Sequence, residues 1–343
     1  MVRRKKTPSE TISINDVARQ AGVSITTVSR VINKFSSVKE KNIKAVQEAV
    51  KELKYQPSVV AQRLASGRSN VVALVIPRYE GIFYSFYALE LIRGIGTLCE
   101  ALKLDLLLHL TDSKTPLNLK GVGGIIFADV IGNRKQVEEA LEQRIPSIVL
   151  NNQVEDLKVS YVAIDNTKGA QAAVNYLVDL GHKKIAHIAG DIITQSAAQR
   201  LEGYKMALKK NNIEFHPEYV FKTDYSRGQA RSAAEEMLRM QDKITAVFVA
   251  SDSMALEVMA AARELGKEIP RDLSIVGFDD NPSGLYGPVA LTTVRQPLVK
   301  MAQEGIKELN ILINTKEKTA QIKKIILTTE LVIRESCQAP LSK

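Results

Sequence analysis

At the front of the chain, apolar residues recur at steps of three and four over three short stretches. The first holds Ile14, Val17, Ala18 and Ala21; Ser13, with Asp16 three residues on, opens it and Gly22 stops it. This spacing predicts a helix with reciprocal capping at its start and a left-handed turn at its end. Ser24 opens a second stretch with Val28, Val31 and Ile32 turned inward, and Ser37 with Glu40 opens a third carrying Ile43, Val46, Val50 and Leu53. Helices this short do not stand alone, so residues 13–56 are expected to form a three-helix miniature core. The pattern breaks at Tyr55-Gln56-Pro57-Ser58 and again at Ser66-Gly67-Arg68-Ser69-Asn70. Between the breaks, Val59 to Ala65 has helical composition and no core to bury it, a linker that becomes helical only when something supports it.

From Val71 onward, short aliphatic runs alternate with longer amphipathic ones. The strand-like runs are Val71–Ile76, Leu104–Leu108, Gly124–Phe127, Ser147–Leu150, Val162–Ile164, Ile185–Ile188, Ala246–Val249 and Leu273–Phe278. Helical stretches such as Lys168–Leu180, Ala197–Lys210, Gln229–Met240 and Ser253–Leu265 lie between several of them. Such alternation is the signature of βαβ units, and its extent implies an α/β body of two doubly wound lobes with ligands at the carboxyl ends of the strands.

Charge separates these two parts. The 343 residues carry a formal net charge of +9, yet residues 1–69 hold fourteen Lys and Arg against five Asp and Glu, and the remainder is balanced. A basic module joined to a neutral body points to a polyanion for the front segment, nucleic acid or an acidic membrane surface. The front helices lack an exposed aromatic or leucine face for insertion, which disfavours the membrane. Two cysteines, Cys99 and Cys337, are too few for a disulfide framework and fit a reducing compartment. Neither a secretory segment nor a span is encoded, so the cytoplasm is expected. The enzymatic signatures Gly-x-Ser-x-Gly, Walker, His-Glu-x-x-His and Gly-x-Gly-x-x-Gly are absent, so no catalytic residue, cofactor or metal is assigned. His182 and His187 read as structural histidines, and Lys120-Gly121-Val122-Gly123-Gly124 as a turn before a strand.

Helix, glycine turn and helix across Asn15–Asn33 form a helix-turn-helix pattern, with Ala18 and Ala21 allowing close approach. On the second helix Ile25, Thr26 and Arg30 point away from Val28 and Val31, free to face a groove. Ser24, Thr27, Ser29 and Asn33 suit phosphate contacts, and Arg30 suits a guanine edge.

These residues, with Tyr55-Gln56-Pro57, Ala61 and Leu64, closely resemble the lac repressor/galactose repressor family of bacterial transcription regulators. The likeness extends through Leu180-Gly181-His182-Lys183-Lys184, Arg200-Leu201-Glu202-Gly203-Tyr204, Ser251-Asp252-Ser253-Met254-Ala255 and Gly277-Phe278-Asp279-Asp280. It implies that Ile25, Thr26 and Arg30 read bases and that Ser13, Ser24, Thr27, Ser29, Asn33 and Tyr55 grip phosphates. It places Ala61 and Leu64 in the DNA-binding linker, with Leu64 wedged into the minor groove at the centre of a palindromic operator. Lys39 stands where a capping serine is usual, which Ser37 would replace.

For the body, the resemblance implies a periplasmic-binding-protein-like (type I) pair of lobes joined by three crossovers. The expected division is a helix-turn-helix domain at 1–57, a hinge at 58–69 and an effector-binding and dimerisation domain at 70–338. Lobe 1 would span about 70–165 and 296–322, lobe 2 about 166–295 and 323–338, with Lys324–Arg334 as the last strand of lobe 2. Arg200, Asp279, Tyr225 and Ser251 match effector-contacting positions, joined by Asn151 and Tyr84 from the other lobe. The expected protein is a homodimeric repressor that binds double-stranded operator DNA and answers to a sugar-like small molecule, with no membrane partner. A transport binding protein would share the body fold, but residues 1–69 argue against it, and an enzyme of sugar metabolism would require turnover. Thr111 to Val122 is too short for the covering helix relatives have there, leaving open what covers that face of the first lobe.

Overall fold

The computed structural model describes residues 12–32, 38–55, 69–78, 82–241, 243–315 and 321–341, and the chain divides into two compact units, Met1–Ser69 and Asn70–Lys343. In the first unit α1 (Ile14–Ala21), α2 (Ile25–Ile32) and α3 (Glu40–Glu52) enclose Val17, Ala18, Val28, Val46, Ala49 and Tyr55. The start of α1 is pinned as its sequence dictates: the Ser13 amide donates to Asp16 Oδ2 at 3.0 Å and the Ser13 hydroxyl to the same oxygen at 2.8 Å. Gly22 ends the helix at φ 63°, a conformation that costs a side-chain-bearing residue and glycine nothing. The third cap differs from expectation. α3 begins at Glu40 with Lys39 as an N-cap that makes no side-chain bond, while Ser37 lies outside the described residues.

The second unit contains two six-stranded sheets. The first has the order β11-β5-β4-β3-β1-β2, from β1 (Val71–Pro77), β2 (Asp105–Thr111), β3 (Gly124–Phe127), β4 (Ser147–Leu150), β5 (Ser160–Ile164) and β11 (Lys324–Leu327). The second has the order β12-β10-β9-β8-β6-β7, from β6 (Ile185–Ala189), β7 (Val220–Lys222), β8 (Ala246–Val249), β9 (Ser274–Asp279), β10 (Thr292–Arg295) and β12 (Glu330–Val332). All pairings are parallel except β10 with β12. Buried on both faces, the central strands are continuously aliphatic, which is why they are legible in the sequence. Two short strands, β7 and β10, are not: Val220-Phe221-Lys222 and Thr292-Thr293-Val294-Arg295 carry too little apolar signal and become strands only beside their neighbours. The tail corrects the expected division, because Lys324–Leu327 pairs with β5 in the first sheet and only Glu330–Val332 joins the second.

One face of the first sheet packs on α4 (Phe86–Leu102) and α10 (Leu298–Asn314). The other is covered by α5 (Arg134–Glu142) and by Leu117, Leu119 and Val122, so the short segment after β2 takes the place of a helix as an extended strap. The strap is tied down by the Gln136 amide, which donates to Thr111 Oγ1 at 2.9 Å and to the Thr115 carbonyl at 2.8 Å. In the second lobe α6 (Asn166–Asp179) and α7 (Gln195–Lys210) cover one face, and α8 (Arg227–Leu238) and α9 (Asp252–Glu264) the other. The α6–α7 contact needs glycine at position 203, where a Cβ would stand 2.4 Å from the Thr167 carbonyl oxygen. Three connections cross between the sheets: β5 to α6, β10 to α10, and β11 to β12.

Candidate functional site

On α2, Ile25, Thr26 and Arg30 are exposed together, while Val28 is fully buried one face away. The Ser24 hydroxyl accepts the Thr27 amide at 3.1 Å and lies 2.9 Å from the Thr27 hydroxyl, so it caps the helix that would present them. Thr27 and Ser29 are half-buried. Tyr55 belongs to the miniature core at 9% exposure, with its ring packed among the helices. Asn33, Ala61 and Leu64 lie outside the described residues.

In the body, the expected contact residues gather at the carboxyl ends of the strands: Asn151 after β4, Tyr225 after β7, Ser251 after β8 and Asp279 at the end of β9. Arg200 comes from the second turn of α7. Tyr84 ends the short 3-10 turn Ile82–Tyr84, and its side chain lies outside what the structure describes. Arg200 is 4% exposed and closely held: Nε donates to Asn166 Oδ1 at 2.9 Å, Nη1 donates to the Ala250 carbonyl at 2.6 Å, and the guanidinium lies 3.8 Å over the Phe278 ring. Asp279 accepts a hydrogen bond from the Gln296 amide. Among the described residues, three side-chain polar atoms are buried without partners: His187 Nε2 in the core of the second lobe, and Asn151 Oδ1 and the Tyr225 hydroxyl at strand ends. An unpaired buried polar atom costs about 1–3 kcal/mol, so each such atom asks for an explanation.

The backbone carries the same mark. Asn151, Tyr225 and Asp279 have φ of 66°, 67° and 134°, a region that non-glycine residues rarely occupy and that gathers at functional sites. The Tyr225 ring lies flat on Gly190, where any Cβ would stand 2.0 Å from ring carbon Cζ. Ser251 has a local task, since its hydroxyl caps α9 by accepting the Met254 amide at 3.4 Å. Hollows of about 250 Å³ beside Ile244 and Leu273, and of about 280 Å³ beside Pro146 and Val159, lie at the opposite ends of the sheets and touch none of these residues.

Residues 13–58 match the model of bacterial regulatory proteins of the lacI family, and residues 174–337 match a periplasmic binding protein-like domain. The chain is 33% identical to catabolite control protein A of Priestia megaterium over 88% of its own length and 93% of that protein's. This chain belongs to the lacI family. It is also 33% identical to the probable HTH-type transcriptional repressor ExuR of Bacillus subtilis, over 95% and 98% of the two chains. Among solved structures, the lac repressor dimer bound to operator and the anti-inducer ONPF superposes with a TM-score of 0.81 at 26% identity, covering 96% of this chain and all of that one. The complex of the regulator CelR with cellobiose gives a TM-score of 0.71 at 27% identity, covering 95% and 99%.

In this lacI-family protein, sequence reasoning missed several side chains of the cleft. Asn166 and Phe278 fix the Arg200 guanidinium from the side and from below. Asp129, after β3, takes a hydrogen bond from the Asn151 side chain and accepts the Ile131 amide at 2.8 Å. The rule that singled out Asn151, a polar residue just past a strand, applies equally to Asp129. Asp252 is fully buried beside Asp279, accepting the Asn281 amide at 2.7 Å and the Thr293 hydroxyl at 2.5 Å. Burial and the neighbouring Asp279 carboxyl push the Asp252 acid well above its ordinary value.

His182 and His187 serve the core. His182 bonds Thr245 and the Gln338 carbonyl, and His187 stacks on Phe248 with centroids 4.8 Å apart. Burial lowers His187 to about 4. Among the described residues, no three His, Cys, Asp or Glu side chains are placed to hold a metal ion, and no helix is long and apolar enough to cross a membrane.

Burial pushes the Asp129 acid up to about 6. An acid raised on folding stabilises the native state below its unfolded pKa, and that contribution is lost as pH climbs through the folded value. Buried histidines act in the opposite sense, so the whole stability curve mixes both. The comparison of Asp129→Asn with the parent isolates the acid. Relative to the parent, the variant is expected to be more stable at pH 8 than at pH 5 by about 1–2 kcal/mol. Urea unfolding at both pH values reads this difference, and a difference independent of pH would show an Asp129 carboxyl with an ordinary pKa.

Proposed function

We propose that this protein is a dimeric, operator-binding repressor whose affinity for DNA is set by an uncharged, hydroxyl-rich effector held between the two lobes. Ile25, Thr26 and Arg30 would read base edges, Ser13, Ser24, Thr27, Ser29, Asn33 and Tyr55 would meet phosphates, and Ala61 and Leu64 would act from the linker. In the cleft, Arg200 would donate to the ligand, Asp279 and Asn151 would accept from it, Tyr225 would offer a flat wall and a hydroxyl, and Ser251 and Tyr84 would complete the polar rim. The observation that carries this reading is the pair of buried, partnerless polar atoms, Asn151 Oδ1 and the Tyr225 hydroxyl, at strand ends of opposite lobes. A ligand with hydroxyl groups pairs with both and removes their cost.

The relatives support the two halves separately. The lac repressor structure pairs a dimer with operator and an anti-inducer, and the CelR structure holds cellobiose. Twofold assembly suits a palindromic operator. The effector would act only through its preference for one arrangement of the lobes. No catalytic role is assigned, and a cytoplasmic site of action accords with DNA as the partner.

The test is footprinting of the full chain on DNA flanking its own gene, combined with a thermal-shift screen of neutral sugars and nucleosides. A protected inverted repeat whose occupancy changes with a ligand that also raises the melting temperature is expected. Absence of any protected repeat at modest ionic strength would overturn the operator half, and absence of any shifting ligand the effector half.

A further inference from the structure

We propose that the Gln195 carboxamide is a clasp across the cleft that sets how readily the lobes part, and so regulates access of the effector. This rests on reading the cleft as the effector site. Gln195 is the first residue of α7 in the second lobe, and Gln153 lies two residues beyond Asn151 in the first. Gln195 Oε1 accepts the Gln153 main-chain N–H at 2.7 Å, and Gln195 Nε2 donates to the Gln153 carbonyl at 3.0 Å. One side-chain amide thus pairs in both directions with the main chain of one residue, as facing residues do in an antiparallel ladder. Turning the amide over would set oxygen against oxygen and N–H against N–H, so only one orientation closes the pair.

Both ends of the clasp are anchored. Thr194 Oγ1 accepts the Ala197 amide at 3.2 Å, and the Thr194 hydroxyl donates to the Asp191 carbonyl at 2.6 Å, fixing the start of α7. On the facing lobe, Asn152 Oδ1 accepts the Val130 amide at 3.0 Å, tying the Gln153 segment to the loop after β3. The segments joined are those that carry the candidate ligand contacts, Arg200 on α7 and Asn151 beside Gln153. When the lobes part, both bonds pass to water, so the clasp biases the equilibrium without locking it. Its loss is expected to lower the closed-to-open ratio about tenfold. A shift of that size is within reach of a ligand that prefers one state.

The test measures lobe separation by pulsed electron paramagnetic resonance in the full chain without added ligand. Spin labels replace Lys135 on α5 and Arg239 just past α8, side chains 83% and 63% exposed. The background carries Cys99→Ser and Cys337→Ser and is first shown to melt as the parent does. Gln195→Glu keeps the acceptor for Gln153 N–H while facing the Gln153 carbonyl with an oxygen, and Gln195→Ala removes both bonds.

A mainly short distance in the labelled parent, with about tenfold more of a longer one in both variants, is expected. Identical distance distributions in the parent and both variants, or a parent already dominated by the long distance, would overturn the clasp. The effector reading is judged separately by thermal shift. Ligand binding with unresponsive distances sinks the clasp alone, and responsive distances with no ligand among neutral sugars and nucleosides sink the effector reading alone.

Discussion

Replacing Arg200 by alanine is expected to lower the stability of the Asn70–Lys343 unit by about 3–5 kcal/mol and to abolish any effector-dependent rise in its melting temperature. The size follows from what the guanidinium leaves behind. At 4% exposure it donates to Asn166 Oδ1 and to the Ala250 carbonyl and covers the Phe278 ring, so truncation strands two buried acceptors and opens a cavity. Its positive charge also counters the enclosed Asp279, whose acid burial pushes above its ordinary value despite Arg200. Lysine cannot restore the site, because a single ammonium does not reproduce the planar fork that bonds on two sides while stacking. Urea unfolding of Arg200→Ala and Arg200→Lys reads the loss, and a cost below about 1 kcal/mol for the alanine variant would contradict a desolvated, multiply bonded guanidinium.

Arg30→Ala is the second large effect, and it falls on DNA binding without touching stability. Arg30 stands exposed near the end of α2 with Thr26 one turn before it, on the face opposite the fully buried Val28. A bidentate base contact contributes about 1–3 kcal/mol of discrimination, so affinity for the operator is expected to fall roughly tenfold to a hundredfold. Affinity for random DNA should fall far less, and the melting temperature should stay within a degree or so, because an exposed side chain supports little of the core. Titrations of operator and scrambled duplexes at one fixed salt concentration separate these terms. Equal losses on both duplexes would assign Arg30 to phosphate contact and leave base reading to Ile25 and Thr26.

The capping Ser13–Asp16 pair, the Gly22 turn and the aliphatic strands β1, β3, β4, β6 and β8 were legible because each rests on neighbours a few residues apart. The strap at Leu117, Leu119 and Val122 was not, since an extended segment that covers a sheet has no period of its own and is defined only by the face beneath it. The splitting of the tail between β11 and β12 was hidden for a related reason. Lys324–Leu327 and Glu330–Val332 are short, and which sheet accepts each depends on the free edges left by β5 and β10.

The candidate site divides along the same line. Arg200 and Asp279 could be named from the motifs they sit in, Asn151 from its place just past a predicted strand, and Tyr225 only from the family resemblance. That Asn166 and Phe278 hold the guanidinium, that Asp129 orients Asn151, and that Gln195 reaches Gln153 required the fold.

The sequence by itself determined the helical front unit, the alternation of strand and helix, and the segregation of positive charge, because short-range periodicity and composition need no partner to be read. Tertiary structure alone decided which polar atoms are buried without a mate, which backbone positions are strained, and which side chain bridges the lobes. Those properties depend on desolvation and on distances between residues far apart in the chain, and neither exists until the sheets have formed and faced each other.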